Sequence, residues 1–241
     1  MVSAAIFGRA PSPLAETALR WALADVVMVR GQSNLYARPV AKVTTMIGAT
    51  PLLGDLDAER IIARVPSNAT CKGMYFSDLL PILRKTGFAG DTHIAELAAK
   101  RYVPFRDYPL VDHMRMTSLA SRLLFPDCCT REAMRRFGWK AFPAFVQSLI
   151  GRIVFRTLGP DLDQIFGAGP KSFEVSLSHG RATATRLGDA HWRYEFHEMY
   201  GFLDTYYVGV IEGPIRKYRF TPEMTLALED SSNGTMTIRW H

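Results

Sequence analysis

The hydrophobic pattern of this chain changes period once, and that change restricts the fold more than any motif does. Before residue 172 the apolar residues recur at three/four spacing. In residues 142–154, Phe142, Phe145, Val146, Leu149, Ile150, Ile153 and Val154 share one broad helical face. From residue 172 onward they alternate. Phe173, Val175 and Leu177 interleave with Ser172, Glu174, Ser176 and Ser178. Trp192, Tyr194 and Phe196 interleave with His191, Arg193, Glu195 and His197. Helices followed by half-buried strands imply an α+β fold, an N-terminal helical layer packed on a small antiparallel sheet.

The strands fall in pairs. Residues 172–178 and 182–186, separated by a bulge or turn at His179-Gly180, lead through a turn at Leu187-Gly188-Asp189 to the strand at 191–197. Residues 223–229 and 235–240 pair around Asn233-Gly234, and Thr221-Pro222 marks where the first of them can begin. Between the pairs, residues 200–218 read as mostly helical, although Gly209, Gly213 and Pro214 weaken the pattern. The sheet is expected as strand pair, helix, strand pair.

The most aromatic and apolar stretch, residues 137–159, reads as the central helix. Pro143 separates it from a helical run at 131–140, so a break or kink is expected between Gly138 and Pro143, and Gly159-Pro160 supplies a stop. Upstream helices are expected at 57–65, at 73–84 (bent or ended by Pro81), at 91–100 behind an Asp91-Thr92 cap, and at 109–125. Residues 166–172, FGAGPKS, lack the GxxxxGK[ST] spacing of a phosphate loop and precede a strand, so they read as a helix exit turn. Residues 1–55 differ from the rest. Ser12-Pro13 opens a helix over 14–30, and a loop rich in Pro and Gly follows with one short strand at 40–47. The chain divides into an extension, residues 1–55, and one α+β domain, residues 56–241.

Composition excludes several classes. Hydrophobic residues make up 48% of the 241, enough for a sizeable core. No apolar run reaches the roughly 18 residues of a membrane span, and no secretion signal is expected. The net charge of +6 is scattered and unaccompanied by a nucleic-acid motif, so no nucleic-acid partner is expected. Cys71, Cys128 and Cys129 have no CxxC spacing, which fits a reducing, cytoplasmic setting.

Chemistry-bearing motifs are incomplete. There is no G-x-S-x-G elbow, and His197-Glu198 lacks the second His of a zinc-protease motif because Gly201 stands there. His191, Glu195 and His197 share a strand face that could hold a metal, but Arg193 lies among them. His93 and His113 lie on expected helices, where either could in principle ligate haem. No catalytic residue and no metal site is assigned, and an enzyme is not expected. The aromatics are the remaining feature. The Trp192/Tyr194/Phe196 face and the segment with Tyr200, Phe202, Tyr206 and Tyr207 lie opposite the 142–154 helix. They either fill a core or line a cavity. The candidate pocket is Phe142, Phe145, Val146, Leu149, Trp192, Tyr194 and Tyr206, with tyrosine hydroxyls as its polar groups.

Five runs occur in order: ATCKGMYFSDLL (69–80), RYVPFRDYPL (101–110), AFPAFVQSLIGRIVF (141–155), VSLSHGR (175–181) and YYVGVIEG (206–213). Together they resemble a paralogous family of unknown function, largely restricted to myxobacteria, over about residues 55–241. The order of helices and strand pairs is also similar to the superfamily of vinyl-reductase-like ligand-binding domains, which includes vesicle-tethering TRAPP subunits and haem–nitric-oxide-binding domains. That resemblance implies a small apolar molecule held between helices and sheet, or a dimerising scaffold. The haem branch carries a Y-x-S-x-R signature. Ser176, Ser178 and Arg181 are present here, but the tyrosine and the spacing are not, so no cofactor is expected. The expectation is a non-enzymatic sensory or regulatory module binding a small hydrophobic ligand or lipid. The alternative is a structural, protein-interaction module with a filled core, such as a homodimer.

Overall fold

The computed structural model describes residues 42–147 and 161–241, the side chains at 143–145 and 147 excepted. The expected helix at 14–30 and the stop at Gly159-Pro160 lie outside the described residues. Among the described residues no helix is long and apolar enough to cross a membrane.

The sheet has six strands: β1 (Lys42–Ile47), β2 (Thr50–Pro51), β5 (Arg181–Gly188), β6 (His191–His197), β7 (Pro222–Leu228) and β8 (Gly234–Trp240), in the order β2-β1-β7-β8-β6-β5. Two hairpins build its main part. β5 pairs with β6 in the register Ala184↔Tyr194, and β7 pairs with β8 in the register Leu226↔Met236. β6 and β8 join the hairpins antiparallel. β1 adds to β7 in parallel, Thr44 opposite Thr225. Strand β1 lies in the expected extension by sequence, yet it belongs to this sheet. A short pair, β3 (Thr70–Lys72) with β4 (Asp107–Pro109), sits apart and places Cys71 next to Leu177.

Strand burial follows the alternation in the sequence. Trp192, Tyr194 and Phe196 of β6 are buried, while Arg193, Glu195 and His197 are exposed. Met224, Leu226 and Leu228 of β7 and Met236 and Ile238 of β8 extend the same inner face. Each large apolar side chain moved off water here contributes roughly 1.5–3 kcal/mol. The period of two therefore also fixes the register, because a one-residue slip would expose every one of them.

The helices are α1 (Ala58–Ile62), α2 (Met74–Thr86), α3 (Thr92–Ala99), α4 (Leu110–Leu124), α5 (Thr130–Gln147), α6 (Leu162–Ser176) and α7 (Val208–Lys217). Carboxylate caps start three of them. Asp57 accepts from the Arg60 amide at 3.0 Å, Asp91 from the Ile94 amide at 2.9 Å, and Asp161 from the Asp163 amide at 2.9 Å.

Three expectations are corrected. The break between Gly138 and Pro143 is absent, because α5 runs unbroken from Thr130 through Pro143. Likewise α2 continues through Pro81, flanked by buried Leu79 and Leu83. At Pro81 the buried neighbours hold the helix that the missing amide would weaken. The third correction is larger. Residues 172–176 are helix, not strand, and FGAGPKS lies inside α6. The apparent alternation of Phe173 and Val175 is accidental, since Val175 is half exposed while Leu162, Ile165, Phe166 and Ser176 form the buried helical face.

Helices α5 and α7 cross with backbone against backbone. A Cβ added at Gly138 would clash with the Tyr206 carbonyl, and one added at Gly209 with the Arg135 carbonyl. The glycines that weaken the helical pattern in the sequence are thus the points of closest approach. Beside the crossing, fully buried Glu212 accepts from Arg135 Nε at 2.8 Å, from Trp139 Nε1 at 2.7 Å and from Arg216. Trp139 is covered in turn by the Arg216 guanidinium, 4.1 Å from the ring centre.

Candidate ligand-binding site

A cavity of about 130 Å³ lies where α5, α6 and α7 meet β6. Its walls are apolar. Phe142 comes from α5, Ile165 and Phe166 from α6, and Val210 and Ile211 from α7. Its polar end is formed by Tyr75, His113, Tyr206 and Tyr207, with Cys71 beside them.

Each polar side chain arrives by a definable route. His113 lies on the buried face of α4, between Leu110 and Thr117, and packs edge-on against Phe76 and Tyr206. Tyr206 and Tyr207 come from a single π-helical turn, Leu203–Tyr207. Its wide ring is closed by the Tyr207 amide donating to the Phe202 carbonyl at 3.3 Å. Phe202, just before it, takes a left-handed backbone with φ of 64°. The turn is pinned from two sides: Arg131 of α5 pairs with the Asp204 carboxylate, and Thr45 of β1 donates to the Asp204 carbonyl at 3.3 Å.

Burial sets the charge state of this end. It holds the His113 imidazole down at about 4, so the ring is neutral at physiological pH. It pushes the Cys71 thiol and the Tyr75 hydroxyl up to about 12, and drives Tyr206 and Tyr207 well above the usual phenol range. No Lys, Arg, Asp or Glu among the described residues lines the cavity. Tyr75 donates to Ser176 Oγ at 2.5 Å. The His113 nitrogens and the Tyr206 and Tyr207 hydroxyls have no hydrogen-bond partner among the described residues. Tyr194, also at the cavity, differs: its hydroxyl donates to the Phe166 carbonyl.

Of the residues expected from the sequence, the structure brings Phe142, Tyr194 and Tyr206 together around the cavity. Trp192 is placed elsewhere, with its indole Nε1 donating to Asp163 at 2.7 Å. Val146 is half-buried and packs against the core. The Phe145 side chain and Leu149 lie outside the described residues. The candidate pocket left out His113, which the sequence offered only as a haem ligand, Tyr207, which it placed only in the aromatic segment, and the whole contribution of α6. A signal for His113 was present: Leu110, His113, Met114 and Thr117 share one helical face, which puts the imidazole among apolar neighbours. His93 is exposed, 4.0 Å from Asp112. His191, Glu195 and His197 lie along the outer face of β6. Among the described residues no group of three or more His, Cys, Asp or Glu is placed to hold a metal ion.

The sequence matches the model of a family described as proteins of unknown function, DUF2378, over residues 64–241. The chain belongs to that family. No curated protein matches the sequence. The fold of this DUF2378 member is similar to that of H-NOX domains. An H-NOX protein from S. oneidensis in the Fe(II)NO ligation state aligns with a TM-score of 0.55 at 12% identity, covering 70% of this chain and 99% of that one. A mutant of T. tengcongensis H-NOX gives 0.53 at 15% identity, covering 70% and 97%. An oxygen-binding H-NOX domain related to soluble guanylate cyclases gives 0.52 at 15% identity, covering 70% and 94%. The likeness establishes the fold as α+β of this type.

A haem does not fit the cavity formed by the described residues of the DUF2378 chain. The cavity is close to the roughly 150 Å³ that admits one benzene, whereas a porphyrin joins four pyrrole rings. His113 could offer an axial nitrogen, but no described cationic side chain lines the cavity to meet two propionates. Ser176 is engaged with Tyr75, Ser178 with the Thr70 amide at 2.7 Å, and Arg181 is exposed at the start of β5.

Proposed function

We propose that this DUF2378 domain is a non-enzymatic sensory or regulatory module that takes a small, mostly apolar ligand into the cavity between helices and sheet. The observation that carries the reading is the polar end of that cavity. Buried polar groups are ordinarily paired, yet two tyrosine hydroxyls and an imidazole here lack partners among the described residues, beside space for a small molecule. A ligand that meets those groups accounts for both features at once. The fold-level likeness to an oxygen-binding domain is in keeping with a ligand-responsive role. The competing reading, a scaffold with a filled core, leaves the cavity and its polar end without a purpose.

Titration with benzene, followed by NMR of the Ile165, Ile211 and Val210 methyl groups, tests the proposal. Saturable shifts confined to these methyls are expected, and Ala168→Leu, which grows a side chain into the cavity, should abolish them. Methyl shifts that do not saturate, or that persist unchanged in Ala168→Leu, would overturn it.

A further inference from the structure

The π-helical turn brings two neighbouring tyrosines to one cavity. Tyr206 and Tyr207 both line it, their ring centres 5.6 Å apart. The turn is not a loose end of α7. It is held by Arg131 and Thr45 at Asp204, by the Gly138 backbone contact at Tyr206, and by the left-handed Phe202 before it. The chain thus brings two tyrosines to the cavity that His113 also lines, the His113 ring centre lying 6.1 Å from that of Tyr206.

The same cavity carries no fixed charge on its described lining, and burial keeps His113 neutral. An ionised ligand would lose its hydration there with no counter-charge to replace it. A neutral hydroxyl is suited to the site. It can donate to an imidazole nitrogen and accept from a phenol. The volume of about 130 Å³ leaves room for one ring or a short branched chain beside it.

We propose that the cavity selects an uncharged molecule of single-ring size bearing one hydroxyl, a phenol-like ligand, whose hydroxyl is taken by Tyr206, Tyr207 and His113 while its ring packs between Phe142, Phe166 and Ile211. This rests on the ligand-binding reading above and narrows it to a chemical class.

The test compares three probes of nearly equal size on the full chain at neutral pH: phenol, benzene and benzoate, each titrated calorimetrically. Phenol is expected to bind about tenfold tighter than benzene, the increment of one net hydrogen bond, and benzoate more weakly than either. In Tyr206→Phe/Tyr207→Phe the phenol-to-benzene ratio should fall several-fold, and adding His113→Phe should bring it to about one. If the double variant does not fold, the two single variants carry the test in smaller steps, each lowering the ratio while keeping its ring. Equal binding of phenol and benzene to the unaltered protein overturns the hydroxyl selection while leaving the cavity as a binding site. Tightest binding of benzoate overturns the requirement for an uncharged ligand. Binding of none of the three removes both this inference and the function it rests on. A preference for phenol that stays undiminished in the tyrosine-to-phenylalanine variants overturns the assignment to the tyrosines.

Discussion

Two buried polar clusters lie close together along α7 and its π-helical lead-in, and they are built on opposite principles. At the α5–α7 crossing, Glu212 is fully buried and receives Arg135, Trp139 and Arg216, so its carboxylate is surrounded by donors. A few residues earlier, Tyr206 and Tyr207 meet His113 with no hydrogen-bond partner among the described residues. The first cluster is closed and charged. The second is open and neutral. Removing a member of a satisfied network leaves its partners stranded, whereas removing an unpartnered group strands nothing. The contrast separates what holds the two helices together from what waits for a ligand.

The largest expected effect falls on the closed cluster. Glu212→Gln keeps the shape but leaves Arg135 and Arg216 without their buried counter-charge, and should lower stability by ~3–5 kcal/mol in urea unfolding. A loss under about 1 kcal/mol would mean that the crossing is held by the Gly138–Gly209 contact alone.

Next in size is the pH dependence that the open cluster imposes. The folded-state pKa of His113 is about 4, below the ordinary 6.5, so the unfolded chain binds the proton more readily. Its contribution is present above pH 6.5 and is lost as pH falls through the window from 6.5 to about 4. The loss reaches ~3 kcal/mol. In His113→Phe that part of the slope should vanish, measured as urea midpoints across the same window. An unchanged slope would place the imidazole in water.

The smallest effects distinguish the tyrosines. Tyr194→Phe deletes a hydroxyl bonded to the Phe166 carbonyl and should cost ~1 kcal/mol. Tyr206→Phe and Tyr207→Phe delete hydroxyls without partners among the described residues and should change thermal stability by less than ~0.5 kcal/mol. If all three cost alike, the open cluster is not open.

How much of this the sequence discloses depends on the element. The inner face of β6 is legible because one side of that strand is buried, which forces alternation of Trp192, Tyr194 and Phe196 with polar residues. The hairpin at 223–240 is legible, but Asn233-Gly234 is not its turn: Gly234 pairs with Leu228 as the first residue of β8, and Asn233 closes a longer connection, its side-chain amide donating to Asp230 at 2.8 Å. Helix α6 is illegible for a physical reason. Gly169 stands where the Tyr194 hydroxyl presses on the helix, and a Cβ there would collide with it. The residue that lets the helix touch the sheet therefore removes an apolar marker from the very face that packs. Pro143 also misleads, since it signals a break where α5 continues. Tyr206 is visible as an aromatic opposite the central helix, but the π-turn that adds Tyr207 beside it leaves no periodic trace. His113 is visible only as a polar residue on an apolar stripe. The cavity walls thus come partly from pattern, while two of its polar groups, Tyr206 and Tyr207, come from a π-helical turn that periodicity does not encode.

The central claim is that space for a small molecule exists between Phe142, Phe166 and Ile211, beside Tyr206 and Tyr207. A crystal structure under xenon pressure tests it most directly, because xenon enters apolar cavities without needing a hydrogen bond. The account predicts one well-occupied xenon site among those three side chains, lost in Ala168→Leu. Side chains closed over that position, with no xenon between them, would contradict it.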